Sequence, residues 1–447
     1  MWLVILLILS IVFIVLATTK FKIHPFLALI LTALGFGILS GMPLVEVVKS
    51  VNDGFGGTIG YIGIVILAGS IIGTFLEKSG GAYGLATRIL QITGEKNVPL
   101  AMGCVGFVVS MPVFCDSAFV LLSSLMRALA SKAGITLASA AIALSLGLYA
   151  THTMVPPTPG PVAAAGIIGA DLGLVIMWGL VVSFVALIAG WLFAILFAAR
   201  VYISPEEGHQ QLQQAPGGEG EGPTVTKSLL PIIVPIVLIV ARSIGELPAR
   251  PFGEDNALVT LLSFFGQPVV ALLIGVGLSF ALPKKLEREM LSSQGWVGEA
   301  ILAAATIIII TGSGGAFGKV LQNSGIADVI GSTLAETNLG IWLPFIIAAG
   351  IKTAQGSSTV AIITTAGLLA PLLDSLGLSS ETAKALVVVA IGAGSMVVSH
   401  ANDSYFWVVT QFSSMDVKTG YKLQTLGTLV QGSVAAGAVY VLSNVLL

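Results

Sequence analysis

The chain has 447 residues, 55% of them apolar and only 9% charged, where a soluble domain carries about 25% charged residues. A chain this poor in charge cannot keep itself dissolved, so its surface must meet lipid. The formal net charge of -2 excludes a broadly basic surface for nucleic acid, which needs clustered Lys and Arg.

Cys104 and Cys115 are the two cysteines and both lie inside apolar sequence, which excludes a disulfide framework and a thiolate metal cluster. Both are expected to act as small buried hydrophobes. Neither a cofactor nor a metal is expected.

The first apolar stretch, Met1 to Ala17, lacks the basic start and small-residue cleavage site of a signal peptide and is read as a retained span. About 20 apolar residues cross a bilayer core as helix. On that measure spans are expected near 2–19, 24–41, 59–76, 136–170, 173–199, 228–244, 257–282, 296–320, 382–413 and 424–447. Two further apolar stretches, 97–132 and 340–376, are interrupted midway by polar, Pro or Gly residues, as expected of re-entrant hairpins that enter and leave on one side. Trp2 and Tyr202 fall near span ends and suit anchoring at the interface.

Residues 204–226 contain Pro-Glu-Glu-Gly-His and Gly-Gly-Glu-Gly-Glu-Gly-Pro, too polar and Gly-rich to pack or span, and read as a flexible linker. It separates an N-terminal half, 1–203, from a C-terminal half, 227–447. With Met1 placed outside, fourteen of the 20 Lys and Arg fall in short loops assigned to the cytoplasm, five fall opposite, and Lys352 is left inside a hairpin. That asymmetry places both termini in the periplasm and the linker in the cytoplasm of a bacterial inner membrane.

The halves also share a repeat. Gly69, Gly73, Leu76, Ser79, Gly80 and Ala82 recur as Gly314, Gly318, Leu321, Ser324, Gly325 and Ala327, at one offset of 245. Downstream, the two hairpins align and Thr151-His152 aligns with Ser399-His400. Five spans plus a hairpin in each half make the second copy inverted relative to the first, the mark of secondary transporters whose sites lie near the bilayer midplane. The expected fold is therefore all-α and polytopic, with two inverted repeats and two broken transmembrane helices.

Four interruptions carry the chemistry. The first hairpin turns at Ser110-Met111-Pro112-Val113-Phe114-Cys115-Asp116-Ser117. A carboxylate at membrane depth costs at least about 2.5 to 3.5 kcal/mol, so Asp116 should face a partner, a cation or a wet cavity; the competing reading is a cap on the following helix. The first broken span runs Thr151-His152-Thr153-Met154-Val155-Pro156-Pro157-Thr158-Pro159-Gly160-Pro161, where prolines stop the helix and free backbone groups that must line a cavity or be buried in protein. His152 can relay protons there or simply donate a hydrogen bond while neutral.

The second hairpin turns at Lys352-Thr353-Ala354-Gln355-Gly356-Ser357-Ser358-Thr359, hydroxyls beside a helix N-terminus, which attracts a carboxylate. Lys352 can pair with that anion, with Asp116 or with Asp403, or snorkel to the interface. The second broken span carries Ser399-His400-Ala401-Asn402-Asp403-Ser404. Asp403 and His400 are expected to form a titratable pair, against a capping role for Asn402 or Asp403. The Gly54-Gly56-Gly57 and Gly312-Gly314-Gly315 clusters lack the strand context of phosphate loops and suit close helix packing.

Taken together, Lys22-Ile23-His24-Pro25-Phe26-Leu27-Ala28-Leu29, Thr151-His152 with Val155-Pro156-Pro157 and Pro159-Gly160-Pro161, Gly356-Ser357-Ser358-Thr359-Val360-Ala361, and Ser399-His400 with Asn402-Asp403-Ser404 resemble the gluconate permease (GntP) family of gluconate:proton symporters, which includes D-serine and other hydroxy-acid carriers. The resemblance runs over the whole chain. It implies proton-coupled uptake of a small sugar acid or hydroxy acid on a paired-hairpin transporter fold, often dimeric. Two departures fall at the expected site: Cys115-Asp116-Ser117-Ala118 replaces a Phe-Glu-Val-Gly context, and Thr158 replaces a His.

The reading that follows places a substrate carboxylate on Gly356, Ser357, Ser358 and Thr359. Its hydroxyls fall to Asn402, Thr151 and Ser399, with Ser117, Thr158, Gln355 and Ser404 completing the lining. The proton rides on Asp116 or Asp403 with His152 or His400 assisting. Sodium coupling through Ser, Thr and Asn oxygens and carriage of D-serine are the alternatives within the same class. An intramembrane hydrolase is the alternative from another class, and no Gly-x-Ser-x-Gly elbow or His-Glu-x-x-His helix supports it.

Overall fold

Where the outer helices face away from the molecule they present large apolar side chains, the inverse of a soluble protein. Ile5, Ile8, Leu9 and Phe13 on α1 (Trp2–Thr19), Phe184 and Ile188 on α9 (Leu172–Leu196) and Val441 and Val445 near the C-terminus are all exposed. Polar groups are instead gathered inside. The computed structural model describes residues 2–93, 97–205, 222–245, 251–253, 257–326, 339–401 and 403–447, and over these the chain is helical.

The first half continues from α1 with α2 (Pro25–Leu39), α3 (Leu44–Lys78), α4 (Gly81–Thr93), α5 (Val98–Val109), α6 (Cys115–Lys132), α7 (Leu137–Met154) and α8 (Pro159–Ile168) before α9. The second half contains α10 (Val225–Gly245), α11 (Ala257–Phe265), α12 (Pro268–Ser279), α13 (Trp296–Asn323), α14 (Trp342–Gln355), α15 (Ser358–Leu369), α16 (Glu381–Met396), α17 (Ser404–Phe412) and α18 (Leu426–Leu446).

Among the described residues five helices are long and apolar enough to cross a membrane, or seven with the bent pairs in α3 and α11–α12 counted as single spans. The expected ten is reached only by adding the shorter α1 and α2 and the interrupted α16–α17.

The two interrupted stretches hold the helix pairs α5–α6 and α14–α15. Twelve residues of helix rise about 18 Å, little more than half of a hydrocarbon core of about 30 Å, so α5 and α15, at 12 residues each, are each too short to cross it alone. α7 stops at Met154 because the prolines at 156 and 157 cannot continue it, and α8 starts at Pro159, where a first-turn proline is tolerated.

Two boundaries differ from expectation. The span expected at 59–76 belongs to a 35-residue helix that begins at Leu44 and bends by 43° beyond Tyr61. Its first part carries Glu46, Asn52, Asp53 and several glycines, a composition that argues against helix, but packing along α2 and α13 overrides propensity. Gly54 abuts the Gly315 carbonyl there. The linker's last residues already belong to α10, which starts at Val225; residues 206–221 of the linker and Ala327 of the repeat lie outside the described residues.

The sequence repeat reappears as matched packing. α5 lies on α7 as α14 lies on α16, and α7 lies on α9 as α16 lies on α18. The second halves of the broken spans cross over, α8 packing on α15 and α17 on α6. Arg127, buried at the far end of α6, fixes one crossing by donating to the Phe412 carbonyl (2.7 Å) and the Ser414 hydroxyl (3.0 Å).

α7 is buried along its length apart from half-buried His152, and small residues let its neighbours reach it. A methyl group at Gly147 would sit 2.2 Å from the Gly103 carbonyl oxygen of α5, a backbone atom that cannot step aside. Gly147→Ala is therefore expected to cost about 1–3 kcal/mol by overpacking and to lower the thermal midpoint in detergent. Gly60→Ala, where a methyl group meets nothing within 4 Å, should leave the midpoint unchanged or raise it.

Candidate functional site

Lys352 lies ten residues into α14, about 15 Å from Trp342 along the helix axis, and no part of its side chain is exposed. Snorkelling, one expectation for this residue, is ruled out by that enclosure. Its Nζ donates to Asp403 Oδ2 at 2.6 Å and to the carbonyl of Gly356. A cation removed from water this completely needs a counter-charge, and Asp403 supplies it while itself only 4% exposed.

Asp403 divides its oxygens between two tasks. Oδ1 accepts from the backbone N–H of Tyr405 at 3.1 Å and so caps α17, a task that short acceptor side chains perform well. Oδ2 takes Lys352, the Ser399 hydroxyl at 2.5 Å and the Tyr149 hydroxyl at 3.4 Å. The capping expectation for Asp403 is met by Oδ1, while Oδ2 pairs with Lys352.

Ser399 is held in turn by the second half's last helical segment, its N–H on Thr428 Oγ1 (3.0 Å) and its carbonyl on the Thr425 hydroxyl (2.6 Å). Thr425 closes a π-helical turn, Tyr421–Thr425, a distortion that often marks functional sites.

The break between α14 and α15 folds as it does because Gly356 adopts φ +92°, a conformation open to glycine. Ser357 then caps α15, its Oγ accepting from Val360 N at 3.3 Å. Ser358 pairs with the Tyr149 hydroxyl at 2.5 Å, and Thr359 is half-buried. The first turn of α15 therefore presents N–H groups and hydroxyls beside the buried cation, an arrangement suited to a carboxylate. α8 starts nearby, with the ideal Cβ position of Gly160 4.0 Å from Thr359 Cα.

On the first hairpin, Asp116 sits in the first turn of α6 but does not cap it; Phe114 is the capping residue and makes no side-chain bond. Asp116 Oδ1 and His152 Nδ1 are buried without a hydrogen-bond partner among the described residues. His152 faces the Phe114 ring at 6.2 Å, and Asp116 lies within electrostatic reach of both Asp403 and Lys352.

Other expected residues sit differently. The His400–Asp403 pair does not form: His400 Nε2 bonds the Thr353 carbonyl at 2.8 Å and its ring stacks on Tyr421, because Lys352 already takes the Asp403 carboxylate. The Thr151 hydroxyl is spent on the Phe107 carbonyl of α5 (3.0 Å) and that of Thr158 on the Val155 carbonyl (2.5 Å). Ser117 is half-buried and Ser404 exposed. Asn402 lies outside the described residues, as does the side chain of Gln355.

Tyr149, which bridges Ser358 and Asp403, was not among the expected residues. Its signal was present: a tyrosine in the middle of an Ala- and Leu-rich span, away from the membrane interface where tyrosines gather.

Comparison with known proteins places these residues in a wider setting. The sequence pattern described as GntP family permease matches residues 1–446. A gluconate permease of Pseudomonas aeruginosa is 34% identical, over 98% of this chain and 96% of its own length. The high-affinity gluconate transporter of Escherichia coli K12 is 33% identical over 91% and 92%, and its D-serine transporter DsdX 32% identical over 100% and 99%. In fold, the chain is similar to the Alcanivorax borkumensis YdaH transporter, whose crystal structure was described as revealing an unusual topology. The TM-score is 0.65 at 14% identity, covering 94% of this chain and 98% of that one.

The pairing of Lys352 with Asp403 sets a stability test. Lys352→Met strands a buried carboxylate and should cost about 3–5 kcal/mol. The double variant Lys352→Met with Asp403→Asn removes both charges and should regain part of that loss, read as thermal midpoints in detergent.

Proposed function

Since the chain belongs to the GntP permease family, a family of multi-pass membrane transporters rather than enzymes, we propose that it is a secondary carrier bringing a small sugar acid or hydroxy acid into the cell together with protons. The observation that carries this reading is the Lys352–Asp403 pair, buried where the ends of α14, α15 and α17 meet. Relatives named for gluconate and for D-serine share a carboxylate with a hydroxyl close by, and that shared chemistry defines the proposed substrate class.

In this reading the carboxylate rests on the first turn of α15, at Ser357, Ser358 and Thr359, with Ser404 available to its hydroxyls. The proton is held at Asp116 or Asp403, and Lys352 provides the attraction for an anion that helix ends alone would hold weakly.

The two halves act as inverted repeats. The hairpins and broken spans form the moving part, and the outer helices form a scaffold that pairs with a second copy in the bacterial inner membrane. A cavity of about 360 Å³ is lined by Asp53 and Thr58 of α3, Lys319 and Gln322 of α13, Ile168 at the end of α8 and Pro371 beyond α15, and gives such a movement room on one side.

Reconstituted proteoliposomes test the proposal with a panel of gluconate, glycerate, lactate, D-serine and citrate. Accumulation of a hydroxy acid should follow an imposed gradient that is acidic outside and persist without sodium. Uptake that ignores the pH gradient and stops when sodium is omitted would replace proton coupling with sodium coupling; no uptake of any member would remove the substrate class.

A further inference from the structure

The geometry points to a partner exchange on Lys352. Asp403 is the resident stand-in for the substrate, each transported carboxylate displaces it from Lys352, and the displaced Asp403 carboxylate takes the one proton that travels with the anion. This rests on the proposed carriage of a hydroxy acid and adds to it the coupling device and the stoichiometry.

Three observations build the exchange. Lys352 is fully enclosed, so the empty carrier needs the Asp403 carboxylate beside it. An ammonium has three donors, and two are committed, to Asp403 Oδ2 and to Gly356. The carbonyl of Gly356 belongs to the turn that starts α15, so Lys352 stands beside the first-turn N–H groups that would receive a carboxylate.

If an anion entered while Asp403 stayed ionised, two carboxylates would share one cation in a closed space, and like charges in one site drive one of them to bind a proton. That proton comes from water on the acidic side and forms an O–H bond at Asp403 Oδ2. When the anion leaves on the other side, the bond breaks, the proton returns to water and the pair with Lys352 re-forms.

Asp403 is built to change state without moving its helix. Oδ1 keeps the N–H of Tyr405 and the cap on α17 whether or not Oδ2 is protonated. Oδ2 faces the Ser399 hydroxyl at 2.5 Å. A hydroxyl both donates and accepts, so Ser399 donates to the carboxylate in the empty form and accepts from the acid in the loaded one.

The other charged or titratable groups around Asp403 are Tyr149 on α7, which touches Oδ2 and also bonds Ser358, His152 on the same helix, Cys115 and Asp116 on α6, and Tyr405 on α17, within electrostatic reach. None of these forms an ion pair with Asp403 among the described residues, where Lys352 does. Counted through the cycle, the Lys352–Asp403 site carries no net charge when empty, as ammonium and carboxylate, and none when loaded, as ammonium, anion and neutral acid. One proton then accompanies each monovalent anion, and transport moves no net charge.

Wild-type protein in proteoliposomes tests the last statement directly, with radiolabelled gluconate as probe. At a fixed pH gradient, an imposed potassium diffusion potential of either sign should change the initial rate by less than about twofold. Uptake driven by an inside-negative potential at equal pH would overturn the exchange.

Asp403→Asn separates the steps. It should lose gradient-driven accumulation to background, at least a tenfold drop, yet retain exchange of external labelled gluconate for internal unlabelled gluconate within about threefold of wild type. The double variant Lys352→Met with Asp403→Asn should lose the exchange as well. Accumulation by Asp403→Asn at the wild-type level, or its loss in Asp116→Asn alone, would overturn the assignment. If wild type carries no gluconate, glycerate or other hydroxy acid, it is the proposed substrate class that fails, and that outcome is seen before any variant is made.

Discussion

An ammonium group fully enclosed at membrane depth is tolerable only with a counter-charge in contact, because the low-dielectric surroundings neither solvate it nor screen it. In this protein that constraint falls on Lys352, and much of the interior is arranged around meeting it. Asp403 must come from a different helix, at the same depth, with its carboxylate aimed inward. A continuous helix through residues 396–404 would turn Asp403 into one more side chain on a cylinder; the interruption after Met396 frees it to cap α17 with one oxygen and face the cation with the other.

Broken helices solve a second problem at the same point. Helix ends carry unpaired N–H and C=O groups that lipid cannot satisfy, so they must lie within protein or against a cavity. Placing the end of α14 and the starts of α15 and α17 together lets these groups meet side chains from the other elements, as Ser357, Ser358, Ser399 and Tyr149 show. The glycine-lined contacts make this compact: Gly73 of α3 admits the Pro112 carbonyl of the first hairpin tip, and Gly69 admits the Pro157 carbonyl of the first broken span. Two positions of the internal repeat therefore have a packing reason, and their counterparts Gly314 and Gly318 lie against α15 in the same way.

Much of the architecture was legible in the sequence because helix breakers are local signals. Prolines at 156, 157, 159 and 161, and the polar run from Ser399 to Ser404, mark interruptions whatever surrounds them, and helices end just before them, at Met154 and Met396. What was not legible depended on distant contacts. The length of α3 is decided by α2 and α13, against its own glycines. The choice among the partners open to Lys352 needed the register of α14 against α17. His400 and Asp403 are three residues apart and looked like a pair, but the chain between them turns, so the imidazole meets Thr353 and Tyr421 instead. Tyr149 was missed because one hydroxyl in an apolar helix says little until the groups across from it are known.

In the proposed cycle the substrate carboxylate lands on Lys352, beside the start of α15. The most direct measurement is a structure of the carrier bound to the hydroxy acid it transports. The account predicts the carboxylate within hydrogen-bonding distance of Lys352 Nζ and of the Ser358 and Thr359 N–H groups, with Asp403 Oδ2 released from the lysine. A ligand bound elsewhere, such as the cavity lined by Asp53 and Lys319, with the Lys352–Asp403 pair intact, would contradict it.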